Sequence, residues 1–117
     1  ARIMGFDLMG KKGSFSTNRA GWSYLLSIAF ENGWKPEGTK PPSKIQMINL
    51  HGYGPYLETL DNWCGSYFYN ELQVVTEEDA TNIANALDRS LEFKVTDHDE
   101  WLREFIRFAR SGDFVIA

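Results

Sequence analysis

The strongest constraint on the fold is a helical pattern in the last third of the chain. Residues 76–79 read Thr-Glu-Glu-Asp, the pattern of a capping box in which Thr76 accepts from the third backbone N–H and Asp79 reaches back to the cap. Apolar residues then recur at helical spacing over three turns: Ala80, Ile83, Ala84, Leu87 and Leu91. The spacing predicts an amphipathic helix over residues 77–93.

The same spacing predicts a helix over residues 19–32. Its apolar stripe falls at i, i+3, i+4 and i+7: Trp22, Leu25, Leu26 and Ala29. Phe30 is assigned to the core together with this stripe. Asn18 or Ser16 can cap the first turn, and Asn32-Gly33 supplies the left-handed residue that ends a helix.

A third helix is predicted over residues 98–111. Residues 97–100 read Asp-His-Asp-Glu, a second capping box, and Ser111-Gly112 ends the helix. Its apolar face is wide and is predicted to be buried: Trp101, Leu102, Phe105, Ile106, Phe108 and Ala109.

Strands are predicted near residues 2–9, 45–50, 65–75 and 113–117. Residues 2–9 carry apolar side chains at both alternating sets of positions, which indicates a strand covered on both faces. Gly10-Lys-Lys-Gly13 follows as an exposed turn. The segment 65–75 is interrupted at Asn70-Glu71, which predicts a hairpin between 66–69 and 72–75.

These elements predict a single α+β domain spanning residues 1–117, with a small, mainly antiparallel sheet packed against about three helices. A length of 117 residues suits one domain, and Phe, Tyr and Trp together make up 15% of the chain, which is far from the composition of a disordered tail.

Charge and cysteine content narrow the function classes. The formal net charge of −4 disfavours nucleic-acid binding, which normally relies on a basic excess. Cys64 is the single cysteine, and its thiol suits a reducing compartment. No apolar run reaches the ~18 residues of a membrane span. We therefore expect a cytoplasmic protein that binds neither membrane nor nucleic acid.

Several segments carry a family resemblance. The chain opens with Met4-Gly5-Phe6-Asp7-Leu8, continues through Asn18 to Trp22, has an aromatic–Asn turn at residues 69–72 before Asp79-Ala80, and ends with a helix running into a Gly-Phe strand at residues 104–114. Together they resemble a family of small uncharacterised bacterial and phage-type proteins without a known activity. The chain departs from that pattern at two places. In the segment from Asn18 to Trp22 it has one tryptophan, at position 22, where the family tends to have several, and it has Glu71-Leu72 where the family has Asp-Gly. The resemblance implies a full-length single domain and a prokaryotic or viral origin, and it implies no reaction.

Residues with reactive or metal-binding side chains are few. His51, Cys64 and His98 lack both a catalytic cysteine motif and the short spacings that fix zinc ligands. We therefore predict no catalytic residue, no metal and no cofactor. Three arginines, Arg103, Arg107 and Arg110, share one face of the third helix and form either an anion clamp or, the favoured alternative, helix-stabilising ion pairs.

Asp7 interrupts an otherwise apolar strand, so it needs hydrogen-bond partners if it is buried. A structural role, tying the strand to the region of Asn18 or Asn70, is favoured over that of a catalytic acid or base.

The candidate binding residues are aromatic side chains on loops and strand edges, where such rings favour recognition. They are Trp34, Tyr53, Tyr56, Trp63, Tyr67 and Tyr69, with Asn70 beside them. The leading hypothesis is a non-catalytic protein-interaction or regulatory module with an unidentified protein partner; a homodimer is also considered. The alternative is a small ligand-binding domain or enzyme with a cleft formed by Asp7, Asn18, Trp63, Tyr67 and Asn70.

Overall fold

The computed structural model describes residues 5–41, 49, 52, 54, 67–68, 72–92 and 99–117. In chain order the elements are β1 (Gly5–Gly10), β2 (Ser14–Asn18), α1 (Arg19–Glu31), β3 (Gln73–Val75), α2 (Glu77–Leu91), α3 (Asp99–Ala109) and β4 (Phe114–Ile116). The strands form one antiparallel sheet in the order β2-β1-β4-β3. The predicted α+β architecture, with an antiparallel sheet and three helices, is confirmed.

The hairpin of β1 and β2 begins the fold. Gly10 N–H donates to Gly13 O at 2.8 Å, which closes the predicted turn around the two lysines. Strand β2 was not predicted, because Phe15 is its single large apolar residue and faces the core, while Ser14 and Ser16 are exposed. Such a polar edge strand lacks the apolar alternation that sequence patterns detect.

Strand β4, near the end of the chain, lies in the middle of the sheet between β1 and β3. Leu8 of β1 is opposite Ile116, and Val74 of β3 is opposite Val115. On the edge of β3 that faces away from β4, Val74 exchanges two backbone hydrogen bonds with Lys40, at 2.8 and 2.9 Å.

The predicted hairpin between residues 66–69 and 72–75 is therefore wrong in its pairing. Tyr67 and Phe68 do not belong to a strand, and β3 pairs with β4 instead. Of the predicted strand at 45–50 only Asn49 is described, and its backbone is helical.

The helix starts follow the predicted capping chemistry. Asn18 Oδ1 accepts from Gly21 N–H at 2.7 Å at the start of α1, and Thr76 Oγ1 accepts from Asp79 N–H at 3.2 Å at the start of α2. Helix α1 ends at Asn32 and Gly33, where Gly33 has a φ of 99°. The second predicted capping box begins at Asp97, outside the described residues.

Three aromatic rings from different elements meet in the core. Trp22 of α1, Phe105 of α3 and Phe114 of β4 lie with centroids 6.0 to 6.3 Å apart in edge-to-face arrangements. Edge-to-face packing is the arrangement that the ring quadrupole favours. The helices thus cover one face of the sheet.

Two predictions of burial are wrong. Met9 is 51% exposed, so β1 is not covered on both faces. Phe30 is 64% exposed, because at 3.6 residues per turn it points ~80° away from Trp22 around the helix axis and leaves the buried stripe. None of the helices in the described part of the chain is both long and apolar enough to cross a membrane.

Candidate functional site

A cavity of about 440 Å³, partly open to solvent, lies beside α1. We call it the α1 groove. Its aromatic lining residues are Phe30, Trp34, Tyr67 and Phe68. Its aliphatic and polar lining residues are Leu26, Pro36, Ser23, Ser27 and Glu31. The groove therefore lies between one face of α1, the segment that follows α1, and residues 67–68.

The four aromatic rings of the α1 groove differ in exposure. Phe30 and Phe68 are 64% and 43% exposed. Trp34 and Tyr67 are buried, at 4% and 5%. Trp34 and Tyr67 lie outside helices and strands, as the sequence predicted, but they are buried wall residues and do not half-face water as expected.

A buried carboxylate fixes both buried rings. Asp79, in the first turn of α2, has no exposed surface; its Oδ1 accepts from Trp34 Nε1 at 2.8 Å and its Oδ2 accepts from the Tyr67 hydroxyl. A buried charge is costly unless it is hydrogen-bonded, and the positive end of the helix dipole favours an anion at this position. The Asp79 carboxylate therefore holds the two rings in one arrangement.

Tyr67 is held at its backbone as well as at its hydroxyl. Its φ of 70° lies in the left-handed region, which is uncommon for a bulky side chain. Its carbonyl accepts from Trp22 Nε1 at 2.8 Å, and its N–H donates to Gln73 Oε1 at 3.3 Å. These bonds on both sides of the residue stabilise the unusual conformation.

The Tyr67 hydroxyl is a neutral donor. Burial first, and then the hydrogen bond to Asp79, raise the pKa of this hydroxyl well above its ordinary value. The same oxygen accepts from Gly38 N–H at 2.9 Å. The hydroxyl thus links the carboxylate on α2 to the segment that follows α1.

The rings of Trp34 and Tyr67 stand nearly perpendicular. Their centroids are 5.2 Å apart and their planes meet at 82°. Two perpendicular rings form a rigid corner, and this corner is the inner part of the α1 groove.

The segment after α1 is tied to its surroundings at both ends. The Arg89 guanidinium of α2 donates to Asn32 O at 3.0 and 2.8 Å. Thr39 Oγ1 donates to the side chain of Gln73, and both residues are buried. Because the segment is fixed at its start and its end, Trp34 and Pro36 are held in place along the groove.

Asp79, which holds the rings of Trp34 and Tyr67, is a residue of the site that sequence reasoning missed. The capping box assigned its side chain to the helix cap, but both of its oxygens accept from the buried rings. The signal was present in the sequence, since Asp79 lies four residues before Ile83 and so on the buried stripe of α2. A carboxylate on a buried helix face needs donors from elsewhere in the fold.

Of the predicted cleft residues, the structure describes Asp7, Asn18 and Tyr67, and these three do not meet in the α1 groove. Asp7 is hydrogen-bonded, as expected for a structural role, and its donor is Ser16 Oγ at 2.9 Å. Asn18 caps α1. Neither lines the groove, which contains Tyr67 alone of the cleft residues that the structure describes.

The remaining predicted binding residues lie outside the described residues: Tyr53, Tyr56, Trp63, Tyr69 and Asn70. His51, Cys64 and His98 lie there too. Among the residues that are described, no group of three metal-ligating side chains is placed to hold an ion.

Two of the three arginines take part in ion pairs, Arg107 within α3 and Arg110 directly after its end. Arg107 pairs with Glu100 at 3.9 Å, and Arg110 pairs with Asp88 of α2 at 3.3 Å. Arg110 also donates to Asn85 Oδ1 at 3.2 Å. Arg107 and Arg110 therefore have acidic or amide partners within the protein.

No family model, curated protein or solved structure matches the chain. The resemblance to small bacterial and phage-type proteins therefore stays a prediction.

Proposed function

We propose that the protein is a non-catalytic interaction module that binds a segment of a protein partner in the α1 groove. The observation that carries the proposal is the pair of exposed rings, Phe30 and Phe68, on a cavity whose inner corner is rigid. Exposed apolar surface around a concavity is typical of interaction sites. Its removal from water stabilises a complex by about 25 cal/mol per Å².

The rigid corner supports binding by lowering its entropic cost. Trp34 and Tyr67 are fixed by Asp79 before any partner arrives. A preorganised site loses little side-chain freedom on association, so more of the contact energy remains as affinity. As a regulatory module of a bacterium or phage, the protein acts by occupying a segment that its partner needs.

The test is a selection of displayed peptides on the wild-type protein, followed by affinity measurements on variants. We expect a consensus peptide that binds at least tenfold more weakly to Phe30→Ala and to Phe68→Ala. Met9→Ala is the matched control, because Met9 is a comparably exposed apolar residue outside the groove. Peptides that lose no affinity in either phenylalanine variant would contradict the proposal, and so would the lack of any consensus.

A second candidate is a small-molecule binding domain, favoured by the volume of the groove. About 440 Å³ falls within the range of roughly 300–1,000 Å³ that is typical of ligand pockets. Ligand-observed NMR with a fragment library separates the candidates. Fragments that bind the groove more tightly than every selected peptide would favour the small molecule.

Self-association of the protein is tested separately, with the same Phe30→Ala variant. Light scattering of wild type and of Phe30→Ala shows whether a second copy occupies the groove. A wild-type dimer that the substitution dissociates would assign the partner to the chain itself.

A further inference from the structure

We propose that the α1 groove receives a basic side chain, lysine or arginine, presented by an extended segment of the protein partner. This inference rests on the proposed function and names the chemistry of the residue that is bound. It follows from the arrangement of the four rings and from one carboxylate beside them.

The rings of the groove leave space between them. Trp34 and Tyr67 contact each other, whereas Phe30 and Phe68 make no ring contact with any aromatic residue in the described part of the chain. Phe30 and Phe68 offer exposed aromatic surface to the cavity, and the buried rings of Trp34 and Tyr67 form part of its wall. A cation within ~6 Å of such ring faces is attracted by their quadrupoles, and this attraction strengthens where water is excluded.

Glu31 provides a negative charge on the same cavity. It lines the groove, is exposed, and pairs with no cation among the described residues. Lys35 follows Trp34 in the chain but does not line the groove. A bound lysine or arginine thus finds a free carboxylate and no competing cation among the described lining residues.

The aliphatic part of a basic side chain also fits the lining. Leu26 and Pro36 add non-aromatic apolar surface. Lysine and arginine bury their methylene stems on such surface while the charged group remains at a polar site. The net charge of −4 further favours the approach of a basic segment.

The experiment uses four capped pentapeptides, two glycines on either side of lysine, arginine, norleucine or glutamate, titrated into ¹⁵N-labelled protein at low salt. The Trp34 indole N–H and the backbone signals of Leu26 and Phe30 report on the groove. We expect the lysine and arginine peptides to bind at least two- to fivefold more tightly than the norleucine peptide, the size expected for an exposed cation–π contact. The glutamate peptide is expected to bind most weakly.

Two variants separate charge from ring surface. Glu31→Gln is expected to weaken the lysine peptide about two- to fivefold and to leave the norleucine peptide unchanged. Glu104→Gln is the matched control, because Glu104 is an exposed carboxylate on α3 outside the groove. Phe30→Leu keeps apolar area and removes the ring, so it is expected to weaken the lysine peptide more than the norleucine peptide.

Norleucine binding as tight as lysine would overturn the inference while leaving the proposed function intact. Tetramethylammonium chloride is titrated in parallel, and affinity equal to that of the lysine peptide would overturn the assignment to a protein segment. If no peptide shifts the groove signals and the display selection also yields no consensus, the proposed function itself fails.

Discussion

At the scale of single residues, Asp79 connects the stability of the fold to the shape of the groove. Its carboxylate accepts from Trp34 and Tyr67 and is completely buried. Neither ring lies near Asp79 in the sequence, so the carboxylate joins three separate parts of the chain. A change at this position should therefore affect both stability and binding.

Substitution of Asp79 by asparagine tests this connection. Asparagine keeps one acceptor oxygen, so either the Trp34 N–H or the Tyr67 O–H loses its acceptor, and we expect the free energy of unfolding to fall by about 2–4 kcal/mol at pH 7. Urea unfolding followed by circular dichroism measures the change. Glu78→Gln alters an exposed carboxylate in the same helical turn and is expected to change stability by less than about 0.5 kcal/mol. Equal effects of the two substitutions would contradict the role assigned to Asp79.

The raised pKa of Tyr67 predicts a loss of stability at alkaline pH. Tyrosine in the unfolded chain ionises near pH ~10, while the folded protein retains its proton. The unfolded state then binds fewer protons, so the free energy of unfolding falls above pH ~10, by up to about 1.4 kcal/mol per pH unit from this group. Below that pH the contribution of the neutral hydroxyl is fully present.

Unfolding of wild type and Tyr67→Phe between pH 8 and 11 measures this contribution. The variant is expected to be less stable at pH 8, and its difference from wild type is expected to shrink as the pH rises past 10. Tyr24→Phe, the same substitution at a residue that is 41% exposed, serves as the control. A constant difference between wild type and Tyr67→Phe would refute the assignment.

The burial of Trp34 and Tyr67 could not be predicted from local sequence. Both lie in segments without helical or strand periodicity, where an aromatic ring suits a surface as well as a core. Their burial depends on Asp79, which is 45 residues from Trp34 and 12 residues from Tyr67. Phe30 shows the opposite error, since a large apolar residue beside a buried stripe was assigned to the core although it lies outside the stripe.

At the scale of elements, local patterns predicted the helices well and the strands less well. Helices α1 and α2 are each specified by a capping residue and an apolar stripe, as Asn18 and Trp22 show for α1. A strand depends on partners distant in sequence: β3 was expected to pair with residues 66–69, but its neighbour is β4 at the other end of the chain. Residues 73–75 alone carry no information about which strand they join.

The cap of α1 distinguishes a structural role from a binding role for Asn18. We expect Asn18→Ala to lower the free energy of unfolding by about 1 kcal/mol, because Gly21 N–H loses its acceptor. Asn18→Asp keeps an acceptor oxygen and is expected to be as stable as wild type or more so, since a negative charge is favoured at a helix start. Both proteins should bind selected peptides normally. A loss of affinity in Asn18→Asp without a loss of stability would restore Asn18 as a binding residue.

At the scale of the whole molecule, the aromatic residues divide between the core and the groove. Phe105 lies at the centre of the core, where its ring contacts those of Phe15, Trp22 and Phe114, from three other elements. Phe30 makes no such contact and is exposed on the groove. Phenylalanine is therefore found both in the buried core and on the exposed surface of the groove.

This division predicts opposite outcomes for the same substitution at two positions. Phe105→Ala is expected to lower the free energy of unfolding by about 3–5 kcal/mol, because it leaves a cavity where four elements meet. Phe30→Ala is expected to change it by less than about 0.5 kcal/mol, since the ring is already in water. Chemical denaturation measures both values, and peptide affinity is then compared under conditions in which both variants remain folded.

The affinity result completes the comparison. Phe105→Ala, where folded, should bind selected peptides within about threefold of wild type, because its ring does not line the groove. Phe30→Ala should lose at least tenfold in affinity while keeping its stability. Loss of stability in Phe30→Ala equal to that in Phe105→Ala would mean that Phe30 belongs to the core after all, and the α1 groove would lose the exposed ring on which its proposed function depends.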